Sequence, residues 1–325
     1  MFSSILTLFS GIGTFLLGMK LISSNLQKVA SGKIEKLFNS ISNSKLVSVG
    51  VGVGSAAVLQ SSSATTVILV SLVNSGIVTL MQATCIIMGA NIGTTFTALI
   101  ISFNYLPIGE MFAFLSFVGV MLVMVDKSEK LKSIGWIVGS CGLMFIGLDI
   151  IKLSALALSE FSSFNSLFLS INSPFILLAL GTLFTAIIQS SSALTGIVIT
   201  FSHLGIMPVT GAFYLIMGGN IGSCMTALLA SIGGNVNAKR TAFINLLFNV
   251  LGVLIFLPFV IVFGEKAVNL LKNLSVSVLI AYFHIAFNLI TTLVLLPFTK
   301  KLTDLSMLFI YDKKDNNILV MGEKL

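Results

Sequence analysis

The sequence predicts an all-α integral membrane protein of two inverted-topology repeats, each with a re-entrant helical hairpin and a broken helix, plus one extra C-terminal span. Three observations carry this expectation. Of 325 residues, 56% are apolar and 9% charged, where soluble domains carry about 25% charged residues; mean hydropathy is +1.08. Apolar runs of about 20 residues recur, each long enough to cross a bilayer as a helix. Finally, one pattern is written twice. Gln60-Ser61-Ser62-Ser63-Ala64 returns 129 residues later as Gln189-Ser190-Ser191-Ser192-Ala193, and Gly89-Ala90-Asn91-Ile92-Gly93-Thr94 returns at the same offset as Gly218-Gly219-Asn220-Ile221-Gly222-Ser223. About twenty of the 48 positions from Gly52 to Leu99 match Gly181 to Leu228 without a gap. A repeat of this kind decides the architecture before any local pattern does.

The elements follow in order. A first span covers about 4–28, and a loop bearing Lys28, Lys33, Lys36 and Lys45 follows it. The apolar segment 46–78 has 33 residues, too few for two full spans and a turn, which need about 40. Two half-helices meeting at the Gln-Ser-Ser-Ser stretch fit it, as a hairpin that returns to its own side. A span at about 80–103 is interrupted at Gly89 to Thr95, and another covers about 108–125. The second repeat mirrors this at about 134–157, 174–205, 208–231 (interrupted at Gly218 to Cys224) and 241–263. A last span at about 278–298 and a polar tail complete the chain. The expected units are repeat one at 1–128, inverted repeat two at 129–264, the extra span at 265–299 and a cytoplasmic tail at 300–325. A weaker echo links Ala242–Phe259 with Ala281–Phe298 and marks two similarly packed helices.

Loop charges orient the chain. With both hairpins re-entrant, loops 29–45, 126–133 and 232–240 and the tail share one side and carry most of the Lys and Arg. Loops 104–107 and 158–173 carry none. That is a positive-inside pattern, N-terminus out and C-terminus in; Lys266 and Lys272 in loop 264–277 are the exception. The net charge of +7 is therefore a topology signal and not a nucleic-acid one. Three full spans per repeat, an odd number, place the second repeat upside down. Inverted repeats with helix breaks at the midplane describe a secondary transporter.

The doubled motif suits an oxyanion. A half-helix beginning at mid-membrane aims unpaired N–H groups and a positive dipole end at the cavity. Ser62, Ser63, Ser191 and Ser192 add hydroxyl donors, and no fixed cation lies in either motif. Gln60, Gln189, Asn91, Asn220, Thr94, Thr97, Ser223 and Thr226 offer neutral oxygens, and unwound backbone at the Gly-Asn-Ile-Gly breaks would offer carbonyls of the kind that hold sodium. Asp149 and Glu110 are the few titratable core candidates for proton coupling, so sodium is the favoured coupling ion. No Gly-x4-Gly-Lys-Ser/Thr motif is present, so ATP does not drive the chain directly. Lys20 and Asp149 occupy matching repeat positions. Lys20 is expected to snorkel to the cytoplasmic interface and Asp149 to face a polar interior. His203 and His284 read as interface or interhelical hydrogen-bonding groups. Cys85, Cys141 and Cys224 sit in apolar runs as small apolar residues. No nucleophile–base pair or metal cluster is legible, no cofactor is expected, and an enzyme is not indicated.

The paired Gln-Ser-Ser-Ser motifs, with Met88-Gly89-Ala90-Asn91-Ile92-Gly93-Thr94-Thr95 and Met217-Gly218-Gly219-Asn220-Ile221-Gly222-Ser223, resemble the type II sodium–phosphate cotransporters and their bacterial relatives. The likeness covers about residues 5–300. It implies sodium-driven phosphate import by alternating access in a bacterial cytoplasmic membrane. Phosphate would be held by Gln60, Ser61, Ser62, Ser63, Gln189, Ser190, Ser191 and Ser192. Sodium would be framed by Thr66, Asn91, Thr94, Thr97, Thr195, Asn220, Ser223 and Thr226. Many bacterial members carry a long C-terminal cytoplasmic domain; about 25 residues follow the last expected span here, so that domain is expected to be absent or removed. Sulfate as substrate, or a sodium-independent anion channel, is the alternative.

Overall fold

A computed structural model describes residues 1–41, 44–103, 109–125, 128–161, 164, 171 and 173–312. The expected loops 104–107 and 158–173 lie wholly or largely outside these residues, as do Lys127, the Glu110 side chain and the tail beyond Asp312.

Twelve α-helices are described: α1 (Phe2–Asn39), α2 (Lys45–Leu59), α3 (Ser62–Asn74), α4 (Leu80–Ser102), α5 (Gly109–Val125), α6 (Glu129–Ser159), α7 (Pro174–Ile188), α8 (Ser191–His203), α9 (Val209–Ala230), α10 (Val236–Leu270), α11 (Val276–Leu295) and α12 (Thr299–Phe309). Six stretches are long and apolar enough to cross a membrane, so the chain is an all-α multi-pass membrane protein. At 17 residues, α5 spans about 25 Å, just short of the roughly 30 Å hydrocarbon core. The first helix runs 38 residues, so Lys28 and Lys36 lie on its last turns and not in a loop.

Both motif-bearing segments are broken where the sequence places the break. The first divides into helices of 15 and 13 residues, and so does the second. Each piece is about 20 Å long. Glycine contacts give their directions. A Cβ on Gly52 would fall 2.1 Å from Ile86 O, on Gly89 1.9 Å from Val49 O, and on Gly93 2.4 Å from Val53 O. From the pair Val49–Gly89 to the pair Val53–Gly93 the position on α2 rises with that on α4, so the two helices run parallel and α3, between them in the chain, runs back. The second half repeats this: Gly181 to Leu215 O at 2.2 Å, Gly218 to Leu178 O at 2.0 Å and Gly222 to Thr182 O at 2.3 Å, with α7 parallel to α9.

These contacts also correct one expectation. Helices α4 and α9 are continuous through Gly89–Thr95 and Gly218–Cys224; neither is broken. The glycines there serve close helix approach. Each costs roughly 1 kcal/mol of helix propensity, offset by backbone contact that a side chain would forbid. No carbonyls are unwound at these points, and the intrahelical ladder uses them.

The first and sixth helices cross antiparallel. A Cβ on Gly11 would lie 2.8 Å from Ile151 N, on Gly18 2.7 Å from Met144 N, and on Gly147 2.4 Å from Phe15 N. Residues 18 and 147 are repeat mates, and so are 15 and 144. The Gly18–Met144 and Phe15–Gly147 contacts are one contact with its partners exchanged.

The spans α4 and α9 form the centre, 78% and 72% buried over their most apolar windows. Around them sits a knot of amides. Asn91 Nδ2 donates to Ile87 O at 2.9 Å and reaches Asn245 Oδ1 at 3.5 Å. Asn220 Nδ2 donates to Asn288 Oδ1 at 2.9 Å, and Asn220 Oδ1 faces His284 Nε2 at 3.1 Å. That oxygen can only accept, so the imidazole proton is on Nε2. The late echo is thereby explained: α10 supplies the partner of one repeat asparagine and α11 the partner of the other. His284 makes the interhelical bond expected of it.

The described start of the expected tail is helical. A 3-10 turn, Leu296–Phe298, leads into α12, where Thr303 Oγ1 meets Thr84 Oγ1 at 3.3 Å. Arg240 Nε donates to Ile310 O at 2.9 Å, and Lys45 Nζ to Leu296 O at 3.4 Å. The starts of α2, α4 and α10 and the end of α11 thus share one end of the bundle. Near the opposite end His203 Nδ1 meets Ser277 Oγ at 3.3 Å.

Candidate functional site

The site begins with two residues in an unusual backbone conformation. Gln60 and Gln189, repeat mates, have φ of 51° and 58° and are the only non-glycine residues with positive φ among those described. Left-handed backbone at a residue with a Cβ costs about 1–3 kcal/mol and persists where its surroundings over-determine it. Here it ends α2 and α7 and turns the chain sharply into the next helix.

Each following helix is capped alike. Ser61 Oγ accepts from Ala64 N at 3.0 Å, and Ser190 Oγ accepts from Ala193 N at 3.2 Å. The caps satisfy the third N–H of α3 and α8. The first two, on Ser62 and Ser63 and on Ser191 and Ser192, have no helical acceptor. They stand where each macrodipole is most positive.

Both tips meet on one cavity of about 610 Å³, lined by all eight residues of the two Gln-Ser-Ser-Ser motifs with Thr94 and Ile188. That volume suits a small-ligand site, typically about 300–1,000 Å³. Gln60 Oε1 is buried there without a partner among the described residues, a polar atom available to a ligand donor. Ser63 Oγ donates to Ser223 O at 3.1 Å, joining the first tip to a helix of the other half.

Of the residues expected to frame sodium, Thr94 lines this cavity and the others sit deeper. Asn91 and Asn220 are committed to the amide knot. Thr66 Oγ1 donates to Ser62 O at 2.8 Å and Thr195 Oγ1 to Ser191 O at 2.9 Å, one turn behind each tip. Ser223 Oγ donates to Asn220 O at 2.7 Å. Thr97 is buried, and Thr226 Oγ1 is buried without a partner among the described residues.

The sequence reading missed the remaining wall. Leu16, Met19, Lys20, Ser23, Ser24 and Gln27 line the cavity, one stripe of α1 at helical spacing. Ser23 Oγ donates to Leu59 O at 2.8 Å, tying the stripe to the first break. Lys20 therefore faces the cavity, where snorkelling to an interface was expected. The detectable signal was polar residues at 20, 23, 24 and 27 on one face of an otherwise apolar span.

Gln60→Gly should keep the turn, because glycine enters left-handed backbone freely, and should stabilise the fold by about 1 kcal/mol or less. Thermal unfolding of detergent-purified protein measures this; a clear drop in the midpoint would mean that the glutamine side chain itself holds the turn.

Buried spans, and a cavity on which two helix N-termini converge, define a multi-pass membrane protein with an internal, largely polar cavity. The chain belongs to the Na+/Pi-cotransporter family, which it matches over residues 14–153 and 155–292. It is 31% identical over 288 residues to the uncharacterized protein YqeW of Bacillus subtilis, covering 88% of this chain and 91% of that one. It is 29% identical over 313 residues to the putative inorganic phosphate export protein YjbB of Escherichia coli, covering 96% of this chain and 57% of that one. Sodium-dependent phosphate transport protein 2B of Homo sapiens is 31% identical over 130 residues, 38% of this chain and 18% of that one. No solved structure matches.

Proposed function

We propose that this protein is a secondary transporter, not an enzyme, that moves inorganic phosphate across a bacterial cytoplasmic membrane together with sodium. The observation that carries the reading is the convergence of both Gln-Ser-Ser-Ser tips on one cavity. Phosphate presents four oxygens, and two opposed helix ends with serine hydroxyls supply donors on more than one side. The eight motif residues are its proposed ligands. Thr66, Asn91, Thr94, Thr97, Thr195, Asn220, Ser223 and Thr226 are proposed to frame sodium, with Thr94 nearest the substrate. Sodium rests on the family's name and on the neutral oxygens available.

The proposed cycle is alternating access between two inverted repeats, 1–128 and 129–264. Support comes from the α1–α6 crossing. Helices that are repeat mates and run antiparallel are related by an axis perpendicular to both, which lies in the membrane plane when the helices span it. The short α2/α3 and α7/α8 pairs are proposed to re-enter from opposite faces, since pieces of about 20 Å cannot cross a core of roughly 30 Å. Polar backbone at that depth is tolerated because it lines a cavity. Segment 265–299 completes the bundle, and 300–325 faces the cytoplasm with the N-terminus outside. The proposed partners are phosphate, sodium and the lipid bilayer.

Direction follows the combined gradients. An inward sodium gradient drives import, the direction proposed here; a steep outward phosphate gradient reverses it, and export is the activity for which the E. coli relative is named. Proteoliposomes carrying the protein should accumulate radiolabelled phosphate under an inward sodium gradient and not under an equal potassium gradient, with excess sulfate leaving the rate unchanged. Equal flux with either cation would replace the symporter by a channel, and competition by sulfate would replace phosphate by a broader oxyanion class.

A further inference from the structure

We propose that Lys20 is a substrate-contacting residue of the cavity, supplying the positive charge that makes the site select a phosphate anion over neutral oxygen-rich solutes. This deepens the phosphate reading and rests on it. Four observations lead to it. Lys20 lines the same cavity as all eight motif residues. It is the only charged residue among the sixteen that line it. Its side chain is exposed there, although it lies within a span of 29 apolar-rich residues, Phe2–Ala30, ten residues from its end. No carboxylate among the described residues is within ion-pair distance of it.

A lysine at such a position has a cost that must be offset. An ionised side chain in mid-span is disfavoured by about 2.5–3.5 kcal/mol on insertion scales and is found facing water-filled cavities or partners. The repeat mate shows that the fold does not require charge of this sign here, because position 149 carries Asp, which is not among the residues lining the cavity. Helix N-termini and hydroxyls bind any good acceptor, charged or not, by donating hydrogen bonds. A compact ammonium adds a full unit charge to the partial charge of the helix ends, strengthening the attraction that scales with the charge of the ligand. On a flexible stem it can follow the anion or withdraw, so it need not trap the substrate as a buried ion pair would.

The test uses the full chain in detergent, with inorganic phosphate titrated calorimetrically at fixed sodium while choline chloride sets ionic strength. Lys20→Gln should weaken phosphate binding by about tenfold, as expected for losing one charge a few ångströms away in a wet cavity, and should flatten its dependence on ionic strength. Lys20→Arg should keep both within about threefold, and Lys20→Glu should abolish binding. In proteoliposomes the Gln variant should raise KM and spare kcat. Size-exclusion profiles and thermal midpoints matching wild type confirm that the variants fold. Wild type that binds phosphate alongside a Gln variant of unchanged affinity and salt dependence overturns the role of Lys20 and leaves the phosphate reading intact. Wild type that binds no phosphate overturns the phosphate reading itself.

Discussion

Gly89→Ala and Gly218→Ala should each leave little folded protein and no transport. A methyl at Gly89 would sit 1.9 Å from Val49 O, and one at Gly218 2.0 Å from Leu178 O. Both obstacles are backbone atoms of a helix packed along its length, so neither can swing aside as a side-chain end could. The neighbouring half-helix must be pushed away bodily, and that half-helix carries the tip. Overpacking of this kind costs about 3 kcal/mol or more. The controls are glycines of the same chain with open surroundings: a methyl added at Gly13 or Gly50 would meet nothing within 4 Å. Alanine there should be neutral or add up to about 1 kcal/mol through helix propensity. Thermal midpoints from fluorescence-detected size exclusion measure all four. A Gly89→Ala protein as stable as wild type would mean that the parallel α2–α4 packing is wrong.

Ser62→Ala and Ser191→Ala should fold normally and lose phosphate kcat/KM by at least tenfold each, since a hydrogen bond to a charged group contributes about 1.5–3 kcal/mol. The serine immediately before each behaves differently. Ser61 and Ser190 use their hydroxyls to cap α3 and α8, so alanine there should cost about 1 kcal/mol of stability along with any loss of transport. Adjacent serines on one tip thus fail in distinguishable ways. Uptake kinetics read beside thermal midpoints separate them; a Ser62→Ala and Ser191→Ala pair transporting at wild-type rates would end the twin-tip site.

The outline was legible because it rests on long-range repetition and on composition. The break could be placed within the Gln60–Ser63 quartet because, although one such run alone could serve close helix packing, its copy lies at the same offset. The Gly-Asn-Ile-Gly stretch misled for a physical reason. Glycine in a helix interior signals either a break or a close neighbour, and only the opposing backbone, Val49 or Leu178, decides between them. The asparagine partners were similarly hidden, because Asn245 and His284 lie 154 and 64 residues from the amides they meet. Lys20 was misplaced because an isolated lysine within a first span reads as an anchor. Its significance depends on which way that helix is rotated, and the serines and glutamine on its own face hold that information.

The cavity's chemistry also bears on how membrane voltage enters the cycle. The tips are glutamine and serine, and the centre of the bundle is held by amides, hydroxyls and one imidazole. An electric field does work only on charge that moves through it, about 2.3 kcal/mol per elementary charge per 100 mV. The tips carry no ionised side chain, so any motion of theirs would couple to that field only through the partial charge of the helix ends. In the proposed cycle, voltage would therefore act mainly on the ions carried and on the lysine of α1, and the charge moved per turnover would be set by the number of sodium ions and the protonation state of the phosphate.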